Sequence, residues 1–168
     1  GGGLLSTAWK GFVEWHRAGK VSHLPKMVAV QAHNCDAVAQ AWQEQRAMTT
    51  IPDCTSTISG IQLTAPPDGN LVLQALDESD GWATSVPDDA TYKAQQELSQ
   101  REGIFVEPAS AITWAAVQAD IAKGRLQGHE KVVCILTGIG FKDMDAVHKM
   151  VAEYPVPLVT AEDILNRS

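Results

Sequence analysis

Leu5, Ala8, Trp9, Phe12, Val13 and His16, all but the last apolar, fall at i, i+3, i+4, i+7, i+8 and i+11, one face of a helix, and Gly19 stands where that helix should stop. Residues 27–32 then form a short apolar run that reads as a buried strand, and residues 36–46 a helix capped by Asn34 or Asp36. Residues 48–59 are rich in Thr and Ser and contain Pro52, so they read as a loop; Pro66, Pro67, Asp68 and Gly69 make a turn. A helix over 71–78 ending near Gly81, a strand over 82–86, and a helix capped by Asp88 or Asp89 and closed by Gly103 follow. Residues 104–107 read as a short strand stopped by Pro108. The next helix, 110–123, carries Ile112, Ala115, Ala116, Ala119 and Ala122 on its apolar side, with Gly124 as its stop. The unbroken apolar run Val132, Val133, Cys134, Ile135, Leu136 before Thr137 is the pattern of a central strand buried on both faces. Gly138, Ile139 and Gly140 end it; 156–159 reads as a last strand, and Thr160 with Asp163 as the capping box of a C-terminal helix.

Strands alternating with helices at this spacing predict one α/β domain over 1–168, with a largely parallel sheet and helices on both faces, three layers in all. In such sheets ligands sit at the carboxyl ends of strands, which singles out Glu107 and the residues from Thr137 to Gly140. Composition narrows the partners. With 13 basic and 20 acidic residues the net charge is -7 and no basic stripe appears, which argues against nucleic acid. No apolar run reaches membrane-spanning length and no secretory pattern is present, so the expected setting is cytoplasmic, without a membrane partner. Cys35, Cys54 and Cys134 are odd in number with no CxxC, which favours reduced thiols. The five histidines form no HxxxH or HExxH pattern, and no metal site is expected.

The chemistry begins at Gly1, Gly2 and Gly3, which run directly into the first helix. A helix start carries unpaired N–H groups and the positive end of the dipole, and glycines let an anion approach. Phosphate is the natural ligand. The plain alternatives are a cloning scar, which at most covers Gly1, and a loop without the strand that usually precedes a phosphate site. Thr137-Gly138-Ile139-Gly140 after an apolar run also invites a dinucleotide reading, but Asp143 stands where the third glycine of G-x-G-x-x-G belongs.

Four segments in order, Gly1 through Phe12, 25–32, 103–111 (with Val106-Glu107-Pro108-Ala109-Ser110-Ala111) and 132–143 (with Leu136-Thr137-Gly138-Ile139-Gly140-Phe141-Lys142-Asp143), resemble the C-terminal half of fold-type II pyridoxal phosphate enzymes. The threonine synthase-like branch is the most similar. The resemblance implies that Gly1, Gly2, Gly3 and Leu4 offer backbone N–H groups to the cofactor phosphate and that Thr137 meets the pyridine nitrogen. A neutral hydroxyl there leaves the ring nitrogen largely unprotonated and moderates carbanion stabilisation. Glu107 is placed near the ring without a fixed role; by itself it is an ordinary strand-end carboxylate, as Thr137 is an ordinary strand-end hydroxyl.

The resemblance also implies departures. The family's Schiff-base lysine lies N-terminal to the phosphate loop, and none of Lys10, Lys20, Lys26, Lys93, Lys123, Lys131, Lys142 and Lys149 stands in its motif. No catalytic residue is therefore assigned, and the chain by itself is expected to be inactive. Leu4 occupies a position where many threonine synthases carry an asparagine that contacts the substrate's phosphate, which puts phosphohomoserine specificity in doubt. The expectation is the C-terminal portion of a lyase or synthase that eliminates or replaces at the β or γ carbon of amino acids. It would lack the lysine-bearing part and form a homodimer or larger assembly through uncovered apolar surface. The alternatives are a non-catalytic domain that retains only a cradle for phosphate, sulfate or the cofactor phosphate, and, ranked lower, a dinucleotide-binding module.

Overall fold

The strand Val28–Ala32 (β1) pairs in parallel with Trp82–Val86 (β2), in register from Val28 opposite Trp82 to Ala32 opposite Val86. This computed structural model describes residues 1–152 and 157–165. Side chains alternate across the pair and build two separate apolar layers. On one face Ala29 and Ala83 pack with Val38, Ala39, Val72 and Leu76, from the helices Ala37–Gln43 (α2) and Gly69–Glu78 (α3). On the other, Ala32 and Val86 pack with Ala94, Ile112, Ala115 and Ala116, from Asp88–Glu102 (α4) and Pro108–Ala122 (α5). The three-layer α/β/α architecture expected from the sequence is present, with a sheet of two strands among the described residues.

The N-terminal helix Gly3–Arg17 (α1) lies on α3: the Trp9 indole N–H donates to Glu78 Oε2 at 2.6 Å. That bond, with a second from Gln74, holds the Glu78 carboxyl below its ordinary pKa. The same device recurs across α4 and α5, where the Trp114 indole donates to Glu97 and lowers its pKa. Of the aromatic residues near uncovered surface, Trp9 is buried and Trp42 and Trp114 are half-buried; Phe12 and Trp15 are exposed.

Several caps differ from expectation. Asp36 precedes α2 but makes no capping bond; the amide oxygen of Gln31, on β1, accepts from the N–H groups of Val38 and Ala39 instead. Asp88 is the first residue of α4 rather than its cap. Its carboxylate accepts from the Ser56 and Thr57 hydroxyls and the Thr57 N–H, pinning the 48–62 loop. That loop is also tied covalently. Cys35 and Cys54 form a disulfide, which corrects the expectation of reduced thiols; only Cys134 is free. The bridge joins the turn after β1 to the loop, and Cys35 and Ile58 are fully buried beside it.

The largest correction concerns 132–137. This run is not a strand: it has no strand partner among the described residues and is exposed along most of its length, with Val133 at 87%. An apolar run becomes a central strand only between two neighbours, and the described residues supply none. Pairing begins only after it, where Ile139 forms a single antiparallel bridge with Val106, and the expected 104–107 strand is reduced to that bridge. A short 3-10 turn, Gly140–Lys142, and the helix Met144–Ala152 (α6) follow. Of the expected last strand, Val156 lies outside the described residues and 157–159 are not in a strand. The helix Ala161–Leu165 (α7) is present, but the side chain of Asp163, on which the expected capping box rests, also lies outside what is described.

Candidate functional site

Helix directions decide which ends meet. α3 leads into the start of β2, so its first residue, Gly69, lies toward the carboxyl edge of the sheet. Trp82, which begins β2, donates its indole N–H to Asp120 near the end of α5, so α5 also runs against the strands and its start, Pro108, lies toward the same edge. α1 runs alongside α3 in the same sense, with Gly2 beside Asp68 and Trp9 beside Glu78. The two groups singled out from sequence, Gly1 through Leu4 and Glu107 with Thr137, thus flank one edge of the sheet from opposite faces. No hydrogen bond joins them among the described residues.

At the first pole, Gly2 is the N-cap residue of α1 with φ +97°, a conformation that L side chains rarely adopt. A Cβ there would come within 2.9 Å of Val72 Cγ2 and 3.1 Å of Asp68 Cβ. No side chain caps α1, so the first-turn N–H groups remain available. Packing alone therefore requires one of the glycines, and the open donors are a separate property of the same turn. Asp68 is the sequence signal that was missed. It belongs to the Pro66–Gly69 turn, its N–H donates to the Gly1 carbonyl, and its Oδ2 lies 3.1 Å from where a Gly3 Cβ would stand. A carboxylate beside a helix N-terminus stabilises the helix and opposes any other anion there. Leu4 is 57% exposed.

At the second pole, Glu107 is the N-cap residue of α5, with its own N–H donating to the Gly138 carbonyl and its side chain directed at the 137–142 segment. Thr137 Oγ1 donates to Glu107 Oε1 at 3.1 Å, and Lys142 Nζ lies 3.0 Å from Oε2. Ser110, in the first turn of α5 and 1% exposed, adjoins Thr137: its Oγ accepts from the Thr137 N–H at 2.9 Å and lies 3.0 Å from Thr137 Oγ1. A Cβ at Gly138 would fall on the Glu107 carboxylate, so any side chain there would displace Glu107 from this arrangement. Ser110 and Lys142 are neighbours of Thr137 and Glu107 that strand-end reasoning did not single out; the spacing of three from Glu107 into a helix first turn is the signal for Ser110. The structure brings Thr137 and Glu107 together and leaves Thr137 exposed to approach.

Among the described residues no cluster of His, Cys, Asp or Glu is arranged for a metal ion. No helix among them is long and apolar enough to cross a membrane. Of the other buried carboxylates among the described residues, Asp120 is taken up by Trp82, Thr84 and Arg125, and Asp36 accepts from the Gln40 amide.

Threonine synthase from Methanocaldococcus jannaschii is 35% identical over 167 residues, 98% of this chain and 41% of that protein. Threonine synthase from Halalkalibacterium halodurans is 32% identical over 162 residues, 95% of this chain and 43% of that protein. The chain therefore spans less than half the length of these relatives. Among solved structures, the processed form of threonine deaminase isoform 2 from Solanum lycopersicum superposes with a TM-score of 0.68 at 15% identity, over 92% of this chain and 42% of that one. Maize serine racemase superposes with a TM-score of 0.64 at 18% identity, over 92% of this chain and 44% of that one. At such identity these two likenesses speak for the fold, which is that of fold-type II pyridoxal phosphate enzymes. Residues 1–138 match the pyridoxal-phosphate dependent enzyme family, and the chain belongs to it.

Proposed function

We propose that this chain is the cofactor-cradling portion of an amino-acid lyase or synthase of the threonine synthase-like branch, acting by elimination or replacement at the β or γ carbon. The observation that carries the reading is the convergence of two chemically different poles on one carboxyl edge. An uncapped helix N-terminus with a glycine at φ +97° suits a phosphate ester, and an exposed hydroxyl backed by a carboxylate suits a ring nitrogen. The residues present therefore fit pyridoxal phosphate, with Gly1, Gly2, Gly3 and Leu4 at the phosphate and Thr137, supported by Glu107, at the ring. Bound there, the group supplies an electron sink for chemistry at the amino-acid α carbon. The chain's part is to hold the phosphate and set the ring's environment; an amine held against the reacting carbon, worth ~7–11 kcal/mol of barrier through placement, comes from the remainder of the longer relatives' length.

The reading includes association. Val132, Val133, Ile135, Ile139 and Phe141 form an exposed apolar stretch, of the kind that finds partners. A homodimer or larger assembly is the expected state of the chain by itself.

The test is incubation with pyridoxal phosphate, borohydride reduction and mapping of modified lysines, with anion binding measured in parallel. Scattered low-level labelling is expected. Phosphate should bind more tightly to Asp68→Asn, by about two- to fivefold, because a competing carboxylate is removed from the helix start. Stoichiometric labelling of one lysine with elimination activity would contradict the division of labour, and unchanged anion affinity in Asp68→Asn would contradict the cradle.

A further inference from the structure

Residues 47–57 lie outside helix and strand, and the disulfide divides them at Cys54. The two sides are held differently. From Thr55 onward the loop has fastenings besides the bridge. The Asn34 amide donates to Thr55 Oγ1 at 3.0 Å, and the Ser56 hydroxyl and the Thr57 N–H and hydroxyl donate to the Asp88 carboxylate. Ile58 is fully buried in the core with Ala94 and Ile112. Before Cys54 the chain lies open: Thr49, Thr50, Pro52 and Asp53 are exposed, and the backbone bond there runs from the Ile51 N–H to the Thr64 carbonyl.

The two sulfur-bearing residues differ as well. Cys35 is 0% exposed and packs in the core with Ala32, Ile58 and Val86. Its N–H donates to the Ala32 carbonyl and its own carbonyl accepts from the Gln31 amide, so it is fixed to the end of β1. Cys54 is only partly buried against the same cluster. Thiol–disulfide exchange needs access of a thiolate to the sulfur it attacks, and only the Cys54 side of this bridge is open to one.

We propose that Cys54 is a thiol-exchange site and that the Cys35–Cys54 bond is a latch, opened in the folded chain by a small thiol or dithiol. The inference goes beyond the cofactor reading and does not rest on it. The attacking thiolate bonds to Cys54 Sγ, the S–S bond breaks, and Cys35 leaves as a thiolate that takes a proton from water. A second thiolate then removes the first from Cys54 as a disulfide, so two thiols are oxidised and both cysteines are reduced. Reduced Cys35 stays in the core as a small apolar side chain. Residues 55–58 keep their hydrogen bonds and burial, so opening frees residues 49–54 alone. Both anchors, the turn after β1 and the first residue of α4 after β2, lie at the carboxyl edge of the sheet. The latch therefore controls a loop at that edge.

The test uses the full chain carrying Cys134→Ser, so that only this pair reports. Cys35→Ser and Cys54→Ser are each added to it and incubated with oxidised glutathione. Mass spectrometry is expected to show Cys54 thiolated at least about tenfold faster than Cys35. Equal rates, or faster modification of Cys35, overturn the exchange site. If circular dichroism shows either of these chains unfolded, the reduced Cys134→Ser chain is alkylated with iodoacetamide instead; Cys54 is expected to react first, and the reverse order overturns the site. The latch is read in the Cys134→Ser chain by ¹⁵N relaxation before and after dithiothreitol. The heteronuclear NOE is expected to fall at Ile51, Asp53 and Cys54, to hold at Thr57 and Ile58, and to recover on reoxidation, with circular dichroism unchanged. Unfolding on reduction, a bond that yields to dithiothreitol only in denaturant, or NOE values that do not move would each make the bridge a fixed staple and overturn the latch.

Discussion

Residues 28–32 and 132–137 are both short apolar runs that lead into turn residues, and they end in opposite environments. The first pairs with β2 and carries helices on both faces; the second lies exposed and outside any strand, with Val132 at 47%, Val133 at 87% and Ile135 at 48% exposure. Their side chains do not explain the difference. β1 even contains Gln31, whose amide oxygen caps α2, whereas the exposed run is apolar up to Thr137. Availability of neighbours explains it: β1 has a partner strand 54 positions along, with Val28 opposite Trp82, and the second run has none among the described residues. A hydrophobic pattern states what a segment requires. It does not state whether the chain in hand provides it.

The contrast can be broken at the covered side first. Asp120 is 1% exposed and accepts from the Trp82 indole at 2.8 Å and the Thr84 hydroxyl at 2.9 Å, with Arg125 3.4 Å away. Asp120→Ala leaves those donors without an acceptor beneath β2, and a loss of about 3–5 kcal/mol is expected in denaturant unfolding. A loss under about 1 kcal/mol would mean that β2 is not held from this face. Reduction of Cys35–Cys54, which spans 19 positions, should cost about 3 kcal/mol by freeing the loop in the unfolded chain; unfolding with and without reductant measures it. The exposed side should behave otherwise. Val133→Ser is expected to change stability by less than about 0.5 kcal/mol and to shift sedimentation toward the monomer. A large stability loss would show that Val133 is covered in solution.

Helices α1 to α5 and both strands were legible because period and punctuation agree in them: Gly19, Gly103 and Gly124 adopt the positive φ that their stop positions predict, whereas the helix Met144–Ala152 was not read from the sequence. The caps were less legible. Asp36 and Asp88 have the right residue type in the right place, but tertiary partners decide the bonds, with Gln31 supplying one cap from β1 and Asp88 spent on the 56–57 loop. The Cys35–Cys54 bridge was hidden because pairing depends on how a loop folds back, not on spacing. At the site, a strand-end rule found Glu107 and Thr137 but not Ser110, which meets the Thr137 N–H and hydroxyl only because the first turn of α5 places it there.

The account turns on one edge of the sheet holding one ligand at two poles. Amide NMR during titration with pyridoxine 5'-phosphate tests that directly. The account predicts that the N–H resonances of Gly3, Leu4 and Leu5 and those of Thr137 and Gly138 shift together, with a single dissociation constant. Shifts confined to the first group, or two groups that saturate at different concentrations, would show that the poles do not form one site and would contradict it.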